Sequence, residues 1–273
     1  MIFLINVQTM KVNSIAEKGT NIINEDNFII KDNMFGVFDG ATSLDKYIDS
    51  KGKTGGYLAS SIAKEAFGYN DIPLVDLANI ANDKIMQEMK RRKITVENKV
   101  NLWSTSAAIV RIVNSKLDWL QIGDSLILII NKDNSFRLLV ENYDHDEAVL
   151  VMWKQLADKG VRNIWNEISD ASVKLRKTMN VNYGILNGEK EMNNFLNIGV
   201  ENLNNIAHIL LFTDGLFIPK KDPKKPDDFS KFVELFLSGG LAEVKKYVRN
   251  IEKSDPECSI YPRFKQYDDI VAI

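Results

Sequence analysis

"TSAAIVRIVNSKLDWLQIGDSLILIINKDNSFRLLV", Thr105 to Val140, is the stretch on which the fold turns. Its β-branched and aromatic residues fall into three runs, and the turn-forming "NSK" and "KDNS" divide them. Turns that short join antiparallel neighbours, so the stretch predicts a meander. Upstream, "NFII", "KDN" and "MFGVF" read as a hairpin between Asp26 and Asp39. Two helical blocks lie between hairpin and meander. From Thr54, "TGGYLASSIAKEAFG" sets Leu58, Ile62 and Ala66 on one face, and "DIPLVDLANIANDKIMQEMKRR" does the same with Leu77, Ile80, Ala81, Ile85 and Met89.

The pattern continues downstream. "DEAVLVMWKQLADKG" is helical, and "NIAHILLFTDGLFI" reads as a strand whose continuous apolar character predicts burial on both faces. "DFSKFVELFLSGGLAEVKKYVRNIEK" gives two helices around Gly239-Gly240, and "YDDIVAI" closes as a short strand. The order of strands, helix pair, strands, helices and strands implies an α+β fold, with helices on the outer faces of two mostly antiparallel sheets. Residues 1–273 show no repeat and no linker long enough to separate domains, so a single domain is expected. The polar, proline-broken "PKKDPKKPDD" reads as a solvated loop.

Composition narrows the function classes. The 273 residues are 45% hydrophobic and 26% charged, ordinary for a globular chain. Lys and Arg number 35 against 37 Asp and Glu, a net charge of -2, so no basic field points to nucleic acid or an anionic membrane surface. One cysteine, Cys258, excludes a disulfide framework and a multi-cysteine metal site, and His145 and His208 are too few for a histidine-rich one. A bound metal must therefore take oxygen ligands. "MIFLI" is too short for a signal-peptide core and lacks a basic n-region, so a cytoplasmic setting is expected.

Acidic residues recur at predicted strand ends. Glu25 and Asp26 precede the first hairpin strand, Asp39 ends its partner in "MFGVFDGATS", Asp214 follows "ILLFT", and Asp268 starts the last strand. Asp39-Gly40 and Asp214-Gly215, taken singly, read as plain turns. Taken together, the carboxylates can converge on one end of a sheet, where their repulsion calls for hard divalent cations. Mg²⁺ or Mn²⁺ suits such oxygen donors, and one Asp bridging two ions gives a centre able to activate water and neutralise a phosphoryl group. A glycine after the bridging Asp lets its carbonyl turn toward a metal.

"NEDNF" (Asn24–Phe28), "FGVFDGATS" (Phe35–Ser43), "STSAAIV" (Ser104–Val110), "IGDS" (Ile122–Ser125), "LLFTDGLF" (Leu210–Phe217) and "DDIVAI" (Asp268–Ile273) resemble, in order, the motifs of the metal-dependent Ser/Thr protein phosphatases of type 2C. "YDHDEA", Tyr143 to Ala148, is similar to the Asp-His element of that family. The resemblance implies a four-layer α/β/β/α sandwich with two Mn²⁺ or Mg²⁺ ions at one end. It implies that Asp39 bridges the ions, that Asp214 and Asp268 complete one shell, and that Glu25 and the Gly40 carbonyl serve the other. Asp26 then acts through water on a metal, and Asp124 helps hold a third ion. The implied reaction is direct attack of activated water on a phosphomonoester, most simply phosphoserine or phosphothreonine of a protein, with no phosphoenzyme.

Departures keep alternatives open. The family's phosphate-gripping arginine is replaced by Asn21, and an amide does not match a bidentate guanidinium. "GDSR" is "GDSL" here, and a family glycine is Ser104. A catalytically weak relative that binds a phosphorylated partner, or a phosphatase of small phosphoesters, are the competing readings. "LRKTMNVNYGILNGEKE", Leu175 to Glu191, lies where the family places a flap; Arg176 or Lys177 can supply the missing contact, against the plainer reading of a surface loop. His145 reads as a turn histidine or a general acid, His208 as a core histidine and Cys258 as inert. Trp103, Trp119, Trp153 and Trp165 are too scattered for a stacking platform.

Overall fold

A computed structural model describes residues 10–41, 44, 47–141 and 144–273. "MIFLI", Thr42, Ser43 and Tyr143 lie outside the described residues. The strands are β1 (Ile15–Glu17), β2 (Asn27–Lys31), β3 (Met34–Ala41), β4 (Ser104–Val113), β5 (Lys116–Ile122), β6 (Leu126–Asn131), β7 (Phe136–Leu138), β8 (Asn197–Asn202), β9 (Ile206–Phe212) and β10 (Ile270–Ala272). The helices are α1 (Gly55–Phe67), α2 (Leu74–Arg91), α3 (Glu147–Asp158), α4 (Ile164–Arg176) and α5 (Phe229–Ser254). The strands form two five-stranded antiparallel sheets, ordered β1-β10-β9-β6-β7 and β2-β3-β4-β5-β8.

Three apolar layers hold the sandwich. Phe35, Val37, Ala108 and Val110 of one sheet meet Ile127, Ile129, Leu211 and Val271 of the other. On the outer face of the β3-β4 sheet, Phe38, Ala107, Ile109 and Leu120 pack with Leu58, Ala63, Leu77 and Ile85 from α1 and α2. On the opposite outer face, Leu128, Leu210 and Phe212 pack with Phe232, Val233 and Val244 of α5. Alternation along β3 explains the first two layers: Phe35 and Val37 point inward, Phe38 outward to the helices. The helix α5 breaks at Gly240, whose φ of 69° an L side chain rarely adopts, so the two expected helices share one axis break.

Several expectations change. The meander is not one sheet: β5 and β6 belong to different sheets, and the chain crosses the sandwich at Gly123-Asp124-Ser125. Gly123 has a φ of 77°, and a Cβ there would lie 2.6 Å from that of Ser106. The Ser106 and Ser125 hydroxyls, 2.6 Å apart, stitch the crossing to β4. β3 does not end at Asp39 but pairs on through Gly40 and Ala41, opposite Ser106, Thr105 and Ser104. β9 is buried only over Leu210–Phe212, and Ile206 to Ile209 are half-buried or exposed. His208 is exposed, edge-on to Phe236 at 5.2 Å, and is not a core histidine. The segment Leu175 to Glu191 is not a surface loop: Met179, Tyr183, Ile185 and Leu186 are buried, and Leu186 exchanges backbone hydrogen bonds with Thr105. Buried amides clamp it, with the Asn82 Oδ1 accepting from the backbone N–H groups of Asn187 and Gly188 at 3.2 and 2.7 Å.

Candidate active site

All the acidic segments reach one end of the sandwich, for reasons of strand direction. The end of β3 lies against the start of β4, and the start of β6 pairs with the end of β9 through Leu126 and Phe212. Antiparallel pairing with β10 then brings Asp268 beside Asp214. The turn carrying Asp124 crosses between the sheets at that same end. Asp39, Gly40, Asp124, Asp214 and Asp268 line one cavity of about 350 Å³, together with Asn21, His145, Arg176 and Lys265. Glu25 and Asp26 are buried behind its wall.

Close approach, rather than an unusual φ, explains the glycines. A Cβ on Gly40 would lie 2.4 Å from the Glu25 carbonyl oxygen and 2.6 Å from that of Gly56. The unread "TGG" of α1 has the same cause: Gly55 abuts the Trp103 ring, and Gly56 leaves room for the Glu25 carboxylate. Thr54 caps α1 by accepting from the Tyr57 N–H at 3.2 Å and donates its hydroxyl to Glu25 Oε1 at 2.5 Å. A Cβ on Gly215 would lie 1.9 Å from the Asp269 carbonyl oxygen. Gly215→Ala is therefore expected to push the approach to β10 outward and cost about 3 kcal/mol, read as a lower midpoint in urea unfolding.

Among the described residues, no group of three or more His, Cys, Asp or Glu side chains is gathered tightly enough to hold an ion as it stands. Gathered at one end without cations, these carboxyls repel one another. Burial pushes the Asp39 carboxyl well above the usual carboxylate range, and the charges of Asp26 and Asp124 push it further. Asp214 is raised likewise, by burial first and then by Asp39 and Asp268, and the two carboxyls share a hydrogen bond. Such a bond needs a proton between them. Burial and then the Asp268 charge raise Asp26, whose Oδ2 is buried without a hydrogen-bond partner. An all-oxygen donor set with an orphaned buried carboxylate oxygen fits a hard divalent cation.

Other groups complete the wall. Asn21 donates its amide to Glu25 Oε2 at 2.9 Å. His145 stacks on Tyr183, with centroids 4.1 Å apart and planes 9° from parallel, and its Nε2 lies 3.8 Å from Asp124 and 3.7 Å from Asp146. Arg176 donates to the hydroxyl of Ser104, one of the departures from the family pattern, at 3.2 Å. Trp153 and Trp165 stand edge to face at 5.4 Å, and Phe264 joins them; these two tryptophans are not scattered in space. Cys258 is buried, its thiol pushed up to about 11 by burial, which accords with an inert residue.

Sequence reading missed two residues that build this site. Asp269 accepts from the backbone N–H of Gly19 at 2.7 Å and of Glu25 at 2.8 Å, latching the loop before β2 to the approach to β10. Lys265 donates to Asp268 Oδ1 at 2.7 Å and stands within the fields of Asp39 and Asp214. The doubled acid in "YDDIVAI" was a visible signal for the first. For Lys265 only its spacing of three residues from Asp268 was visible.

The chain matches the sequence model of the Protein phosphatase 2C family over residues 19–248 and belongs to that family, whose members are metal-dependent Ser/Thr protein phosphatases. Solved structures agree on the fold. The serine/threonine phosphatase PstP/Ppp of Mycobacterium tuberculosis superposes with a TM-score of 0.57 at 14% identity, over 95% of each chain. The PstP catalytic domain, solved in complex with two manganese ions, gives 0.55 at 15% identity, over 95% of this chain and 94% of that one. Stp1 of Staphylococcus aureus gives 0.56 at 14% identity, over 95% and 92%. No curated protein matches the chain in sequence.

Proposed function

We propose that the chain removes phosphate from phosphoserine and phosphothreonine of proteins by direct attack of water at a centre of two Mn²⁺ or Mg²⁺ ions. The observation that carries this is the cluster at the cavity floor, where Asp39, Asp214 and Asp268 converge and Asp26 keeps an unpartnered buried oxygen behind them. In this reading Asp39 would serve both ions, Asp214 and Asp268 would hold one, and Glu25 with the Gly40 carbonyl would hold the other. Asp26 would order water beside them, and Asp124 would help hold a weaker third ion. When bound, the ions lower the pKa of water and neutralise the phosphoryl oxygens.

The chain's own side chains do the rest. Asp269 and Thr54 fix the position of Glu25, one through its backbone and one through its carboxylate. His145, oriented by the Tyr183 ring and by Asp124 and Asp146, is placed to hand a proton to the leaving alkoxide. Trp165, Phe264 and Arg176 offer the flanking wall on which a peptide can lie. A reducing, cytoplasmic setting belongs to the same reading, supported by the single buried cysteine. Among the described residues, no helix is long and apolar enough to cross a membrane.

Hydrolysis of phosphopeptides and of an aryl phosphate, with Mn²⁺ and then with chelator, tests the proposal. Metal-dependent release of phosphate from phosphopeptides is expected; none from any substrate overturns it. The competing reading, a phosphoprotein-binding relative with little turnover, is favoured by Asn21. Because Asn21 lines the cavity and already touches Glu25, Asn21→Arg is expected to lower KM several-fold with little change in kcat, read from initial rates.

A further inference from the structure

We propose that Lys265 is the cation that holds the substrate phosphate, filling the role for which residue 21 carries no charge. The inference rests on the phosphatase reading above. Among the described residues lining the 350 Å³ cavity, Lys265 and Arg176 are the lysine and arginine side chains. Their places differ. Arg176, at the end of α4, donates to Ser104 and lies in the fields of Asp146 and Tyr183. Lys265 sits among Asp268, Asp39 and Asp214, where a phosphoryl group must arrive if water is to attack it there.

The loop between α5 and β10 is built to deliver this lysine. Asp255 is buried and accepts from the backbone N–H groups of Ser259, Ile260 and Tyr261 at 3.0, 3.1 and 2.8 Å, and from Arg263 at 3.1 Å. Arg263 in turn donates to the carbonyls of Tyr261, Gln266 and Glu252 at 2.7, 3.1 and 3.0 Å. Arg249 pins the Asp268 carbonyl at 2.7 Å. Residue 265 is thus carried by a hydrogen-bonded frame on both sides, while its ammonium, among the described residues, makes one side-chain ion pair, with Asp268 Oδ1.

That ion pair is exchangeable. Asp268 Oδ1 already accepts from the Asp269 N–H at 2.8 Å, so the carboxylate keeps a hydrogen-bond donor when the lysine turns away. Once the carboxylates are neutralised by divalent cations, their pull on the ammonium weakens, and an arriving phosphate dianion becomes its strongest partner. A four-carbon stem with three rotatable donors can make that small move. Lysine binds phosphate as a point charge, so its loss is expected to weaken phosphate binding about tenfold to a hundredfold.

The experiment measures binding of inorganic phosphate to the full chain in excess Mn²⁺ by calorimetry, together with Mn²⁺ affinity and the KM for an aryl phosphate. Lys265→Met is expected to weaken phosphate binding at least tenfold and raise KM while keeping Mn²⁺ affinity equal or tighter. Lys265→Arg is expected to restore most of the phosphate affinity, and Arg176→Gln to weaken it less than Lys265→Met does. The proposal is overturned if wild type binds no phosphate with Mn²⁺ bound, if Lys265→Met binds it as wild type does, or if Arg176→Gln alone abolishes binding. Loss of Mn²⁺ affinity in Lys265→Met also overturns it, since the lysine then only shapes the carboxylates. Should Lys265→Met fail to fold, Lys265→Gln takes its place under the same criteria. Absence of turnover in wild type that still binds phosphate through Lys265 would remove the phosphatase reading and leave this site.

Discussion

Asp39→Asn is expected to lower Mn²⁺-dependent turnover by about 10³-fold or more while leaving the chelated protein at least as stable as wild type. The two halves of this expectation have different causes. Stabilising developing phosphoryl charge through metal ions is worth several kcal/mol, and about 4 kcal/mol is 10³-fold in rate. If Asp39 bridges both ions, removing its charge weakens both sites at once. In the metal-free fold, by contrast, Asp39 is a half-buried carboxyl in hydrogen-bond contact with Asp214, and both are pushed well above the usual carboxylate range. An asparagine amide donates that hydrogen bond without borrowing a proton and lifts a charge off Asp26 and Asp124. Steady-state rates and Mn²⁺ calorimetry, beside thermal unfolding in chelator, separate the two effects. Asp214→Asn should cost less, because it is assigned to one ion. Wild-type turnover in Asp39→Asn would sink the site assignment, and a lower melting temperature in chelator would sink the electrostatic account.

What was legible in the sequence follows from how local the cause is. The β2-β3 hairpin and the helices α1 and α2 are written in short-range periodicity, and they appear within about three residues of their expected bounds. The sheet switch after β5 was not legible, since two apolar runs divided by "GDS" look alike whether they pair or diverge. What separates them is the left-handed Gly123 and a serine contact from a distant strand. The helix α4 escaped notice because its buried stripe is thin, with Ile164 and Ile168 alone fully covered. Edge strands β1 and β8 draw their pairing from partners far along the chain. In the site, acids after apolar runs stood out, whereas the supporting residues Asp269, Thr54 and Lys265 act on backbone groups or on other acids. Only the folded geometry gives them a role.

The chelated protein is expected to lose stability as pH rises from about 4 toward neutrality, and Mn²⁺ to abolish that loss. Asp26, Asp39 and Asp214 all have folded-state pKa values raised above those of the unfolded chain, by burial first and by neighbouring carboxylates second. Below the unfolded value both states hold the protons, and the groups' contribution to stability is fully present. Above it the unfolded chain releases protons that the fold retains, so stability falls until pH passes the raised values. Each retained proton costs about 1.4 kcal/mol per pH unit, and the Asp39-Asp214 pair releases its protons as a unit. Carboxylates that are lowered act elsewhere on the scale. Glu88, held at about 2 by Arg91 and Arg92, and Asp255, lowered by backbone N–H groups and Arg263 against its burial, lose their contribution only in strong acid. The two windows do not overlap, so the metal-free protein should be most stable near the ordinary carboxylate range. Two ions, each at 100 times its Kd, add about 5 kcal/mol, roughly 10 °C or more in Tm. Thermal unfolding from pH 4.5 to 8, in chelator and then in Mn²⁺, should give a falling line and a raised, flatter one. A chelated Tm that climbs with pH would mean that the acidic cluster is not the buried, self-repelling group from which the metal centre has been argued.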